Sequence, residues 1–147
     1  MFDKICIIGC GLIGSSILRC TEEKKIAKKI SVHDKSKQVT EYLKKNFTAD
    51  ICSNVSEATK DADIIIISAP LSSYKEILLS IKSTLKEGSI LTDTGSAKKE
   101  VNKIVNNLGL KNISWIASHP IAGTEYSGPA AGFSSLFKNR WCILSAD

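Results

Sequence analysis

The sequence predicts an α/β fold, a doubly wound and mostly parallel sheet with helices on both faces. Two observations carry this. Short apolar segments alternate with amphipathic segments along the whole chain, as strand-helix-strand units do. The first apolar run, Ile5-Cys6-Ile7-Ile8, also ends in Gly9-Cys10-Gly11-Leu12-Ile13-Gly14, a G-x-G-x-x-G spacing that opens directly into helix-forming residues.

Taken in order, Lys4–Ile8 reads as the first strand and Leu12–Glu23 as the first helix. Ile30–His33 is the second strand. Ser36 can cap a helix through Lys45 that carries Val39, Tyr42 and Leu43 on one face. Ala49–Cys52 is a short third strand and Val55–Lys60 a short helix. Ala62–Ser68 is nearly all Ile, which fits a fully buried central parallel strand stopped by Pro70. Ser73-x-x-Glu76 fits a capping box, and the helix behind it offers Ile77, Leu78, Ile81 and Leu85 to the sheet before Gly88 ends the segment. Ser89–Thr92 is the fifth strand. Ala97–Leu108 is a helix with Val101, Ile104, Val105 and Leu108 at helical spacing, and Ile113–Ala117 is the sixth strand. His119–Gly132 reads as a long loop, Phe133–Phe137 as a short helix and Trp141–Leu144 as a final strand. Right-handed crossovers between such units give a Rossmann-type sheet, whose ligands sit at the carboxyl ends of the strands.

Bulk properties restrict the function. The chain has 147 residues, 43% hydrophobic and 24% charged, so one domain with a substantial core is expected over residues 1–147. No apolar run approaches the ~20 residues of a membrane span. Met1-Phe2-Asp3-Lys4 lacks the features of a signal peptide, so a cytoplasmic setting without membrane contact is expected. The five cysteines show no paired spacing. Cys6, Cys10, Cys20 and Cys142 read as small buried hydrophobes in a reducing compartment, and no His/Cys cluster suggests a metal. The net charge of +5 is spread over lysines, with Lys24, Lys25, Lys28 and Lys29 ending the first helix and Lys44 and Lys45 the second. Without interleaved aromatics they form a solvated face and no nucleic-acid stripe.

The strand ends hold the candidate chemistry. Gly9 allows the tight turn, Gly11 lets a pyrophosphate approach the backbone, and Gly14 lets helix and strand pack closely. The amides of Leu12 and Ile13 at the helix start face the phosphates. Asp34, about 20 positions on, can accept hydrogen bonds from the adenosine ribose hydroxyls and repels a 2′-phosphate, favouring NAD over NADP. Alternatively it is a surface Asp after a strand, and Lys35 and Lys37 beside it leave room for NADP. Ala69-Pro70 is either a strand stop or a flat platform for a cofactor ribose. Gly95 and Ser96 close the fifth strand's turn, and Ser96 is either a helix cap or a partner for His119 at the next strand end. A histidine there suits acid–base work, because its charge changes near neutral pH. His33 reads as packing. Glu125 can orient His119, gate the pocket or be solvated, and Lys98 can face an anionic substrate or water.

His119-Pro120-Ile121-Ala122-Gly123-Thr124-Glu125 with Ser127-Gly128 resembles the signature of the prephenate/arogenate (cyclohexadienyl) dehydrogenase family. Thr92-Asp93-Thr94-Gly95-Ser96-Ala97-Lys98 resembles that family's second motif, and Gly9–Gly14 with Asp34 its NAD site. The resemblance covers essentially the whole chain. It implies NAD-dependent oxidative decarboxylation of prephenate or arogenate in tyrosine biosynthesis, with His119 accepting the proton of the ring hydroxyl. Ser96 would then bond the histidine near the nicotinamide, and Glu125 would hold or gate the site. The family continues into a helical domain that forms a dimer and completes the substrate pocket. That domain is expected to be missing here, since the chain stops at Leu144-Ser145-Ala146-Asp147. No Arg is placed for the substrate carboxylates. The alternative expectation is a non-catalytic NAD-binding module, awaiting a helical partner or a second copy.

Overall fold

The computed structural model describes residues 1–145; Ala146 and Asp147 lie outside them. In chain order the elements are β1 (Phe2–Ile8), α1 (Leu12–Lys24), β2 (Ala27–His33), α2 (Lys37–Asn46), β3 (Asp50–Ile51), α3 (Val55–Thr59) and β4 (Ile64–Ile67). A 3₁₀ turn at Leu71–Ser73 leads into α4 (Tyr74–Ile81), followed by β5 (Ile90–Asp93), α5 (Lys98–Leu108), β6 (Ser114–Pro120), a 3₁₀ turn at Pro129–Ala131 and β7 (Cys142–Ser145).

The strands form one sheet in the order β3-β2-β1-β4-β5-β6-β7. All pairs are parallel except β6 with β7, which is antiparallel. The order reverses between β1 and β4, where the chain crosses from one half of the sheet to the other, and open α/β sheets place their ligand crevice at such a point. The expected doubly wound sheet is therefore the observed one. Alternate residues of the strands feed two cores. Cys6, Ile8, Ile65, Ile67 and Leu91 pack with Tyr74, Leu78, Ile81 and Val101 of α4 and α5. Ile5, Ile7 and Val32 pack with Leu18 of α1 and Leu43 of α2 on the other face.

Several local expectations change. β4 is central, yet Ile64 and Ile66 are only half-buried, because α1 and α2 lie over β1 to β3 and leave this side of β4 less covered. Lys28 and Lys29 do not end α1. Lys25 turns left-handed (φ 50°) and closes the helix, so both lysines fall on β2. Ser73 does not cap α4: its backbone is already helical (φ −92°, ψ −11°) and its side chain makes no cap bond. Ser36 does cap α2, accepting from Val39 N at 3.4 Å. Phe133–Phe137 is no helix but a run of turns, with Leu136, Lys138 and Arg140 amides bonded three residues back. The long loop starts two residues later than expected, because β7 captures His119 and Pro120 into β6. Cys6 and Cys10 are buried as expected, but Cys142 lies exposed on β7 and Cys20 is only partly buried.

Candidate functional site

The tight turn after β1 has a steric reason for two of its three glycines. Gly9 has φ +87°, and a Cβ there would stand 2.7 Å from Ser68 O, so only glycine fits between β1 and β4. A Cβ at Gly14 would run into the carbonyl oxygen of Gly9. Gly11 is different: nothing of the chain lies within 4 Å of where its Cβ would be. The space above it is open, and the first amides of α1 look into it. Gly11 provides no side-chain cap and the first turn carries no acidic residue, so those N–H groups and the positive end of the helix dipole remain available to an anion.

Asp34 closes the far side of this turn. Its Oδ2 accepts from Cys10 N at 2.8 Å and its Oδ1 from Ser36 N at 2.8 Å, fixing the carboxylate between the glycine turn and the start of α2. Each oxygen keeps a further lone pair for a ligand hydroxyl. Around these groups runs a cavity of about 510 Å³, a usual size for a small-molecule site. Gly9, Gly11, Asp34, Ala69 and Pro70 line it, so those five predicted residues come together. Leu12, Ile13 and Gly14, also predicted for the cofactor, do not line it; they form the start of α1 directly after Gly11, and Gly14 is buried. Val55, Glu76 and Ile77 complete an apolar-to-polar wall that sequence reasoning missed; their only signal was the helical phase of Ile77. His33 is more than packing, since it lines the cavity while its Nδ1 lies 3.2 Å from the Cys52 carbonyl.

The second group lies at the ends of β5 and β6 and does not line that cavity. β6 is three strands from β1, roughly 14 Å at ~4.8 Å per strand. The β5–β6 ladder runs to Thr92 and Ile116, so His119 projects beyond it, half-buried and paired with Ile143 of β7. Ser96 is exposed, and among the described residues no hydrogen bond joins it to His119. It does not cap α5 either; Ala97 holds that position without a side-chain bond. Glu125 is exposed on the loop after β6.

What ties the two strand ends together is Asp93, fully buried at the end of β5. Lys98 folds back onto it at 2.5 Å and also donates to the carbonyl of Ser118 at 2.6 Å, instead of facing substrate or water. Gly95 N, Ser118 N and the Tyr74 hydroxyl donate to the same carboxylate, and the Ser118 hydroxyl bonds the Asp93 carbonyl. The Gly95 amide is thereby spent inside the protein. Burial, together with the neighbouring Asp93 carboxylate, pushes the Tyr74 phenol up, so it stays a neutral donor. The network fixes the backbone one residue before His119. Its sequence signal was Asp93 at a strand end with a lysine five residues on.

Residues 17–147 match the family model described as prephenate dehydrogenase, nucleotide-binding domain. The chain is 35% identical over 148 residues to a cyclohexadienyl dehydrogenase of Zymomonas mobilis, covering 100% of this chain and 50% of the relative. It is 35% identical over 147 residues to a prephenate dehydrogenase of Lactococcus lactis, covering 98% and 41%. The crystal structure of a prephenate dehydrogenase from A. aeolicus, in complex with hydroxyphenyl propionate and NAD+, superposes with a TM-score of 0.84 at 25% identity, over 100% of this chain and 51% of that one. The chain thus spans about half the length of the relatives it matches, or less.

Proposed function

The chain belongs to the prephenate dehydrogenase family, through its nucleotide-binding domain, and from that premise we propose that it binds NAD+ and serves the oxidative decarboxylation of prephenate or arogenate. The observation that carries this reading is the strand order. It brings the glycine turn, Asp34, Ala69-Pro70 and the His119 strand end to one edge of one sheet. Bound NAD+ would supply the hydride acceptor for the carbon bearing the ring hydroxyl. The first amides of α1 hold the phosphates, Asp34 receives the ribose hydroxyls, and Ala69-Pro70 supports the sugar nearer the reaction. His119 accepts the hydroxyl proton as hydride departs, so electron density flows into the new carbonyl. Carbon dioxide then leaves the ring, which becomes aromatic. Ser96 and Glu125 complete the substrate side, and the Asp93–Lys98 pair fixes the strand end from which His119 projects. Such chemistry fits a cytoplasmic enzyme of tyrosine biosynthesis, and among the described residues no helix is long and apolar enough to cross a membrane. The substrate carboxylates and a dimer contact would be met by a helical domain beyond the residues present here.

A second reading is a dinucleotide-binding module without turnover of its own. It is favoured by the exposure of Ser96, which among the described residues makes no hydrogen bond to His119. NADH formation with prephenate and with arogenate separates the two. The first reading predicts turnover that falls about 100-fold or more in His119→Ala, with NAD+ affinity kept. Turnover in His119→Ala equal to the parent would overturn the assigned role. Intact NAD+ binding with no turnover in the parent chain supports the second reading.

A further inference from the structure

Gly132 is glycine for a reason unrelated to its backbone. Its φ of −71° and ψ of 150° suit any residue. Space is the constraint: a Cβ there would run into Ser15 Oγ, and would stand 3.0 Å from Ser16 N and 3.1 Å from Ser16 Oγ. Ser15 and Ser16 belong to α1 and are fully buried. Gly123 and Gly128 in the same loop have nothing within 4 Å. The loop after β6 therefore crosses back and sits flush on the dinucleotide helix at one point. The next residue secures it, since Phe133 N donates to Ser16 Oγ at 3.1 Å while that hydroxyl donates to the Leu12 carbonyl at 2.7 Å. One turn further along α1, Arg19 donates to Pro129 O at 3.3 Å and to the Tyr42 hydroxyl at 3.1 Å, with its guanidinium 4.8 Å over the Phe47 ring.

We propose that Gly132, Ser16 and Arg19 form a seat that registers the β6–β7 loop on α1, making them positioning residues for the Glu125 segment relative to the cofactor. The proposal rests on the dinucleotide reading above. The seat begins on the first turn of α1, the same turn whose free amides take the phosphates. Restraint of that turn by a ligand and restraint by the loop act on one element. By linkage, whatever loop docking does for NAD+ affinity, NAD+ does for loop docking.

Three variants test this through NAD+ affinity measured by calorimetry and the rate of tryptic cleavage after Lys138 and Arg140, both exposed in the loop. In the parent chain NAD+ slows cleavage. Gly132→Ala weakens NAD+ binding about five-fold or more and abolishes that protection. Adding Ser15→Ala, which removes the nearest clashing atom, restores part of both. Ser16→Ala, which deletes a hydroxyl without crowding, loses part of the protection and keeps the seat testable should Gly132→Ala fail to fold. A purely structural role would lower the melting temperature without changing the NAD+-linked difference. Parental affinity and protection in Gly132→Ala or in Ser16→Ala, or a Gly132→Ala defect untouched by Ser15→Ala, overturns the seat alone. A parent chain that binds no NAD+ overturns the dinucleotide reading and the seat with it.

Discussion

At the residue scale the three glycines of the first turn separate stability from binding. Gly14→Ala forces a methyl into the Gly9 carbonyl, which cannot move without lifting α1 from β1. A loss of about 2 kcal/mol or more is expected in urea denaturation. Gly11→Ala meets nothing of the chain. Its stability is expected within about 0.5 kcal/mol of the parent, while NAD+ affinity falls because the methyl occupies the path of the phosphates. Asp93→Ala would leave Lys98 without its carboxylate and the Gly95 and Ser118 amides unpaired. A cost of about 3–5 kcal/mol is expected, again read from denaturation. The placement of Gly9, Gly14 and Asp34 around one turn was legible because it follows from spacing alone. The direction of Lys98 was not, because its partner is chosen by the packing of α5 on β5.

At the scale of elements, two helix starts give opposite results. Asn54 Oδ1 accepts from Glu57 N at 2.8 Å, and Glu57 Oε2 accepts in return from Ser53 N at 3.2 Å, so α3 carries a working cap that sequence reading passed over. Asn54→Ala is expected to cost about 1 kcal/mol. Ser73→Ala is expected to cost nearly nothing, since the Leu71–Ser73 turn has already taken Ser73 into helical backbone. Melting temperatures of the two variants check the contrast. The S-x-x-E pattern alone could not reveal the preceding turn. Likewise, β6 runs through Pro120 because β7 pairs with it from beyond the loop, where Ile121 N bonds Trp141 O at 2.8 Å. Local periodicity carries no information about such a long-range pairing, and proline is tolerated because it lies past the β5 ladder.

For the whole molecule, alternation and the glycine motif were enough to give the sheet, its winding and the edge that carries the cavity, since parallel crossovers have one hand. The course of the β6–β7 loop was hidden, because Gly132 and Ser16 lie 116 positions apart and meet only once the sheet is formed. The acid limb of stability is also a property of assembled strands. The Lys86 ammonium at 2.5 Å, then the Lys4 amide, hold the Asp63 carboxyl down at about 2 from its ordinary 3.8, joining β1, the start of β4 and the turn before β5. This contribution is present above pH 4 and is lost as pH falls through the folded value near 2. It is modest because the Lys86 partner is exposed to solvent, which screens the pair. Melting temperature against pH is expected to fall less steeply over that window in Asp63→Asn. The most direct measurement of the central claim is a calorimetric titration of the chain with NAD+. The expected result is one site per chain, weakened at least ten-fold in Asp34→Ala by loss of the ribose contacts. No binding, or equal binding in the two proteins, would contradict it.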